Sequence, residues 1–238
     1  MKRRLFLIAL VVLCLAESTA SGEHAGFIEK YTYEARPITG EAEERESAVM
    51  EIRHGNDGIE YHSLLSSSKS SEDIRINMDG RGRFISGTRK TVAFDGELKH
   101  EGMIWREGKK IFLEENESGK KRTESYELAD GRMFAVDGSL LFLLRFFPFG
   151  TGEAWKIFMV DFAGYSITVD ARLGGIEMIT VPSGTFDCYR MEVVVEIPLL
   201  HPRLTYWLAK ETPHYLVKGI GKRGPLSDTY VTVLVSKE

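Results

Sequence analysis

The sequence predicts a mainly β protein: a single curved antiparallel sheet, half-barrel or β-sandwich, with one short apolar helix over residues 138–147 packed on the concave face. Three observations predict it. Short runs alternate apolar with polar residues along most of the chain. Gly, Asn and Asp punctuate those runs at hairpin intervals. One stretch in mid-chain, DGSLLFLLRFFPFG from Asp137 to Gly150, breaks the alternation with Leu and Phe. Period-two alternation places every second side chain on one buried face, and Gly or Asn/Asp supply the positive φ of tight hairpins.

The chain opens with a basic cluster, Lys2-Arg3-Arg4, then apolar residues from Leu5 to Ala16, then the small residues Ser18, Ala20, Ser21 and Gly22. This is the layout of a secretory signal peptide, expected over residues 1–20, with one all-β domain over 21–238. The apolar run is too short to span a bilayer, which takes roughly 17–25 residues. Leu13, directly before Cys14, is too large for a lipid-anchor signal, so removal of Cys14 with the leader is favoured over its lipidation. The expected location is periplasmic or secreted, with no transmembrane segment left after cleavage. The formal net charge of −4 becomes about −6 once the leader is gone. An acidic chain of this kind does not offer a nucleic-acid surface. Cys188 then remains alone, so no intrachain disulfide forms and the core must carry stability.

Strand after strand follows. Phe27, Tyr31, Tyr33 and Ala35 mark one face; Ala48, Met50 and Ile52 the next; Ile74, Ile76 and Met78 another. Ile111 and Leu113 pair with Tyr126 and Leu128 about the Gly119 turn. Ser66–Ser71 reads as a solvated turn or strand edge. Turns are expected at Gly55–Gly58, Asp79-Gly80, Asp95-Gly96, Asp130-Gly131, Gly174-Gly175 and Pro182–Gly184. Later strands cover Lys156–Asp161, Tyr165–Val169, Ile176–Val181, Cys188–Ile197, Leu204–Leu208 and Tyr230–Val235.

The mid-chain stretch reads as a helix. Asp137 and Ser139 are N-cap types, Leu140, Leu143, Leu144 and Phe147 share one helical face, and Pro148 disfavours helical geometry at Phe147. A buried strand is the rival, but the run lacks β-branched residues. A helix that is apolar nearly all round is buried or meets lipid, and each fully buried Leu or Phe contributes about 1.5–3 kcal/mol. Either protein or ligand must cover these side chains.

Motifs of chemistry match by letters and fail by context. Gly219–Gly224 spells G-x-G-x-x-G, but a dinucleotide site needs a helix opening on it, and here Pro225 and a terminal strand follow. Ser66–Lys69 spells S-x-x-K without helical periodicity. His24, His54, His62, His100, His201 and His214 show no metal-ligand spacing. No catalytic residue, metal ligand or cofactor is assigned. The aromatic residues Trp155 and Trp207 are either core or ligand contacts.

At Asp137–Leu144 with its Phe/Pro/Gly exit, at VPSGTFDCYRMEV from Val181, and at YWLAKETPHYLVK from Tyr206, the chain resembles the bacterial envelope family domain of unknown function 3108. The resemblance runs over roughly residues 27–235 and is strongest after Asp137. It implies an all-β envelope protein, similar in architecture to half-barrel periplasmic lipoprotein carriers, and no catalytic residues.

The leading expectation is a non-enzymatic exported protein that binds or shields an apolar, lipid-like ligand, with Leu140, Leu143, Leu144, Phe147, Trp155 and Trp207 as its contacts. The alternative is an envelope scaffold that works through a partner protein and has no small-molecule pocket. A hydrolase with dispersed catalytic residues is the third reading.

Overall fold

The computed structural model describes residues 26–38, 45–129, 131–197, 201–222 and 228–238. The expected signal peptide, with Cys14, lies outside the described residues. Eight strands come first: β1 (Phe27–Pro37), β2 (Glu46–Gly55), β3 (Gly58–Ser66), β4 (Ser70–Met78), β5 (Phe84–Ala93), β6 (Leu98–Glu107), β7 (Lys110–Glu117) and β8 (Lys120–Glu127). A short strand, β9 (Met133–Val136), leads into the helix α1 (Leu140–Leu144). Six strands complete the chain: β10 (Trp155–Val160), β11 (Ser166–Val181), β12 (Gly184–Glu196), β13 (Arg203–Ala209), β14 (Leu216–Lys222) and β15 (Thr229–Lys237).

All of these strands belong to one sheet, ordered β8-β7-β6-β5-β4-β3-β2-β1-β15-β14-β13-β12-β11-β10-β9. The chain meanders outward from β1 to β8, crosses to the far end, and meanders back from β9 to β15, which pairs with β1 through Tyr31↔Lys237 to Pro37↔Tyr230. The predicted curved antiparallel sheet with a helix on its concave face is therefore present. One pair departs from it: β9 and β10 run parallel, Ile157 opposite Met133, because α1 forms the crossover between them.

The alternation holds along most strands. Tyr31, Tyr33 and Ala35 of β1 are buried, as are Ile74, Ile76 and Met78 of β4 and Ile111 and Leu113 of β7; Phe27, at the start of β1, is 63% exposed instead. The turns hold at Ser66–Ser70, where Ser67 Oγ accepts the Ser70 amide at 3.0 Å, and at Gly119, with φ +86°. Gly174-Gly175 is a correction. It is not a turn but a bulge inside the 16-residue β11, with the register shifting between Leu173 and Gly175. A Cβ on Gly174 would lie 2.8 Å from Glu192 Oε1, so that glycine makes room for a side chain rather than reversing the strand.

β8 and β9 are consecutive in sequence yet stand at opposite ends of the sheet. The sheet curls until these ends approach, and side chains bridge them instead of a strand ladder. Phe84 of β5 meets Phe134 of β9 at 5.2 Å between ring centroids, and Tyr126 of β8 meets Phe158 of β10 at 6.3 Å. The β10–β11 turn offers three carbonyls to this seam. His100 Nε2 lies 3.1 Å from Phe162 O, Arg122 donates to Ala163 O, and Tyr126 Oη donates to Gly164 O at 2.6 Å. Phe162 itself is fully buried and fills the space that Gly87 and Gly102 leave open; a Cβ on Gly102 would lie 3.1 Å from Phe162 Cβ.

Candidate functional site

The mid-chain stretch is the natural place to look for a site, and its local geometry differs from the expected helix 138–147. The α-helix covers only Leu140–Leu144. Beyond it, the amides of Arg145, Phe146 and Phe147 each bond the carbonyl three residues back, at 3.1 Å, so the last turn is tighter than α. The cap is also different. Ser139 makes no side-chain N-cap bond; its Oγ accepts the Val136 amide at 2.9 Å and donates to Val136 O at 2.9 Å, folding the chain back on β9. Asp137 lies 3.5 Å from Arg89 Nη1 instead of capping the helix. Gly138, at φ +84°, permits the turn between them.

A helix this short does not bury one tidy stripe. Leu140, Phe142, Leu144 and Phe147 are buried, Leu141 and Leu143 are half-buried, and Phe146 is 49% exposed. Phe142 is thus a core residue that helical spacing did not select. Trp155 joins the group through Phe147, at 5.1 Å between ring centroids. Phe149, just past Pro148, stacks on Tyr189 of β12 at 4.0 Å.

Trp207 does not join them. Register and alternation place Tyr206, opposite Gly219 and Met191, on the helix side of β13, and Trp207 on the other side. There its indole N–H donates to Glu177 Oε2 at 2.9 Å, and Lys218 Nζ lies 5.1 Å from the ring. Of the six residues expected at one ligand site, five gather at α1 and its exit, and Trp207 faces away.

The charge that breaks the apolar run is the most informative residue. Arg145 is only 9% exposed, and its Nη2 donates to Glu29 Oε2 of β1 at 2.5 Å. Its Nε donates to Pro213 O at 2.6 Å, while Nη1 is buried without a hydrogen-bond partner. Glu29 also accepts from Tyr31 Oη at 2.5 Å, and His54 Nε2 of β2 lies 2.7 Å from its Oε1. Burial alone would raise the Glu29 pKa; the Tyr31 hydroxyl, the Arg145 charge and His54 outweigh it and hold the carboxyl below its ordinary value. Burial and the same carboxylate push the Tyr31 hydroxyl up. A buried guanidinium and a buried carboxylate survive here because each is met by several hydrogen bonds.

The space around Arg145 is small. Tyr31, Tyr33, Ile52, Phe142 and Tyr215 wall a void of about 10 Å³. That is at the lower bound for a single water and far below the roughly 300 Å³ of a small-molecule pocket. The histidines and carboxylates pair separately along the sheet. His54 meets Glu29, His62 meets Asp73 at 3.1 Å, and His100 meets Glu115 at 3.3 Å. Among the described residues no group of three or more His, Cys, Asp or Glu could hold a metal ion. Burial pushes the Cys188 thiol up to about 12, with Asp187 and Glu177 adding to the effect. A thiol held so far above neutral pH is poorly suited to nucleophilic work.

Gly219 and Gly221 of the G-x-G-x-x-G string lie in β14, beneath Tyr206 and Leu204 of the neighbouring strand. They serve strand packing. No helix among the described residues is long and apolar enough to cross a membrane.

Fold and site together define a class: an open, curled, mainly β sheet whose short apolar helix is pinned inside by a buried ion pair. No protein-family model matches the chain, and no curated protein matches it. Among solved structures, the chain is similar to an exported protein with YmcC-like fold from Bacteroides fragilis, at 10% identity over 88% of this chain and 95% of the other, with a TM-score of 0.40. It is also similar to a lipoprotein from Parabacteroides distasonis (12% identity, 88% and 94% of the chains, TM-score 0.35). A third similar structure is the lipoprotein YmcC from Escherichia coli (9% identity, 87% and 84%, TM-score 0.33).

Proposed function

We propose that this is a non-enzymatic exported protein of the cell envelope whose helix seals the sheet, and whose work is done by its outer surfaces. The carrying observation is the void of about 10 Å³ where the apolar segment meets β1 and β2. Protein side chains cover that segment: Leu140, Phe142, Leu144 and Phe147 are buried without a guest. The leader read in the first 20 residues supports export. Membership of domain of unknown function 3108 is part of the same proposal and rests on the quoted motifs.

This reading gives the lipid-like ligand expected at Leu140, Leu143, Leu144, Phe147 and Trp155 no role there, and favours a surface partner. Titration of the purified chain with a hydrophobic fluorophore tests it. The expected result is no saturable signal that depends on the helix. A saturable signal abolished by Leu143→Glu in a variant with unchanged circular dichroism would overturn it.

A further inference from the structure

The outer face of the sheet carries a concavity. It lies across β13, β14 and β15, on the same side as Trp207 and Lys218, and encloses about 380 Å³. Ile197 and Ile220 give it an apolar floor, Thr205 adds a hydroxyl, and His201, Arg203 and Lys222 line it with cationic or protonatable groups. The ladder explains the grouping. Thr205 stands opposite Ile220 and Lys222 opposite Thr229, so these side chains emerge from adjacent strands on one face.

The groove's cations stand without a close acid. Elsewhere on the outer face several cations have one: Arg172 with Glu192 at 2.7 Å, Arg190 with Glu177 at 3.1 Å, Lys156 with Glu196 at 2.8 Å; Lys218 lies over the Trp207 ring instead. Among the described residues no carboxylate lies within 4 Å of a cationic atom of His201, Arg203 or Lys222, although the Arg203 charge is near enough to help lower the pKa of Glu192, opposite Thr205. The chain as a whole is acidic, at −4. A local excess of positive charge beside half-buried apolar side chains, in a space of small-molecule size, fits a ligand with an anionic head and an apolar tail.

We infer that this groove binds an anionic amphiphile, a single-chain lipid with a carboxylate or phosphate head. The site rests on the reading of a sealed helix and working outer surfaces, and places the ligand on the opposite face of the sheet from the helix. Arg203 and Lys222 would pair with the head, and Ile197 and Ile220 would cover the start of the chain. Among the described residues neither cation holds a salt bridge or side-chain hydrogen bond, so the head would compete only with the longer-range attraction between Arg203 and Glu192.

The full exported chain should be titrated with oleate, with dodecyl phosphate, with uncharged monoolein and with inorganic phosphate, followed by calorimetry. Oleate and dodecyl phosphate should bind saturably, and a double Arg203→Gln, Lys222→Gln variant should weaken both by at least about tenfold, the worth of a charge-assisted hydrogen bond. Both positions are exposed, so the variant should keep its circular dichroism and melting temperature. Ile220→Ser should weaken oleate and leave any response to inorganic phosphate unchanged. Monoolein binding as tight as oleate would overturn the proposal, as would inorganic phosphate binding as tight as dodecyl phosphate, or a double variant that binds normally. No binding by either amphiphile would sink the groove alone and leave the sealed-helix reading standing. Binding insensitive to the double variant but lost in Leu143→Glu would sink both.

Discussion

At Arg145, a single guanidinium ties an otherwise apolar segment to the first strand. Glu29 stands 116 positions earlier, and nothing in local spacing could pair the two residues. The sequence showed only that one charge interrupted a Leu/Phe run; its partner became visible once β1 and α1 met in the fold. Removing one member of a buried pair strands the other, at a cost of about 3–5 kcal/mol, whereas replacing both with apolar side chains is often neutral. Arg145→Ala should therefore destabilise by that order in denaturant melts, and a double Glu29→Met, Arg145→Met variant should recover most of the loss. Acid should reveal the same pair. The folded Glu29 pKa is lowered, so its stabilisation is fully present above the ordinary carboxyl value and is lost as pH falls through the folded value. Glu29→Gln should flatten the acid limb of a stability–pH curve. A variant whose curve keeps the wild-type slope would show that the carboxylate contributes nothing. The Cys188 thiol, raised to about 12 by burial, should resist alkylation in the native state at pH 8 and react once the chain is unfolded.

Among the elements, strands were the most legible and the helix ends the least. Alternation in DIRINM and KIFLEEN marks β4 and β7 because a half-buried strand writes its burial directly into period two. The helix was legible as a place and as an apolar object, but not in its extent. From Arg145 the amides bond three residues back instead of four, and Ser139 spends its hydroxyl on Val136. Both are tertiary choices that override cap and spacing rules. Trp207 went to the outer face for a similarly non-local reason: its indole finds Glu177 on β11, two strands away in the sheet. The parallel β9–β10 pair was hidden because four residues of β9 carry no directional signal. At the seam, Gly102 leaves room for Phe162, so Gly102→Ala should force the β10–β11 turn outward. The expected result is faster hydrogen exchange in residues 161–165 with β1–β4 unchanged. Equal exchange in the two proteins would show that Phe162 does not close the seam.

For the whole molecule, the two ends of the described chain pair with each other, β1 with β15, while the gap falls in mid-chain between β8 and β9. No half of the sheet is complete without the other, since α1 of the second half is anchored on Glu29 of the first. Thermal unfolding followed by far-ultraviolet circular dichroism and by tryptophan fluorescence should give coincident transitions. Two separated transitions would mean that the halves fold independently. Long-range pairing of this kind also predicts slow folding, on the order of milliseconds to seconds or longer. The sealed interior is tested most directly by hydrogen exchange over residues 137–147, measured with and without saturating monoolein, the uncharged lipid that the outer groove does not favour. Slow exchange without lipid, unchanged when lipid is added, is the predicted result. Fast exchange that becomes slow only with lipid would mean that the helix waits for a guest, and would contradict the seal.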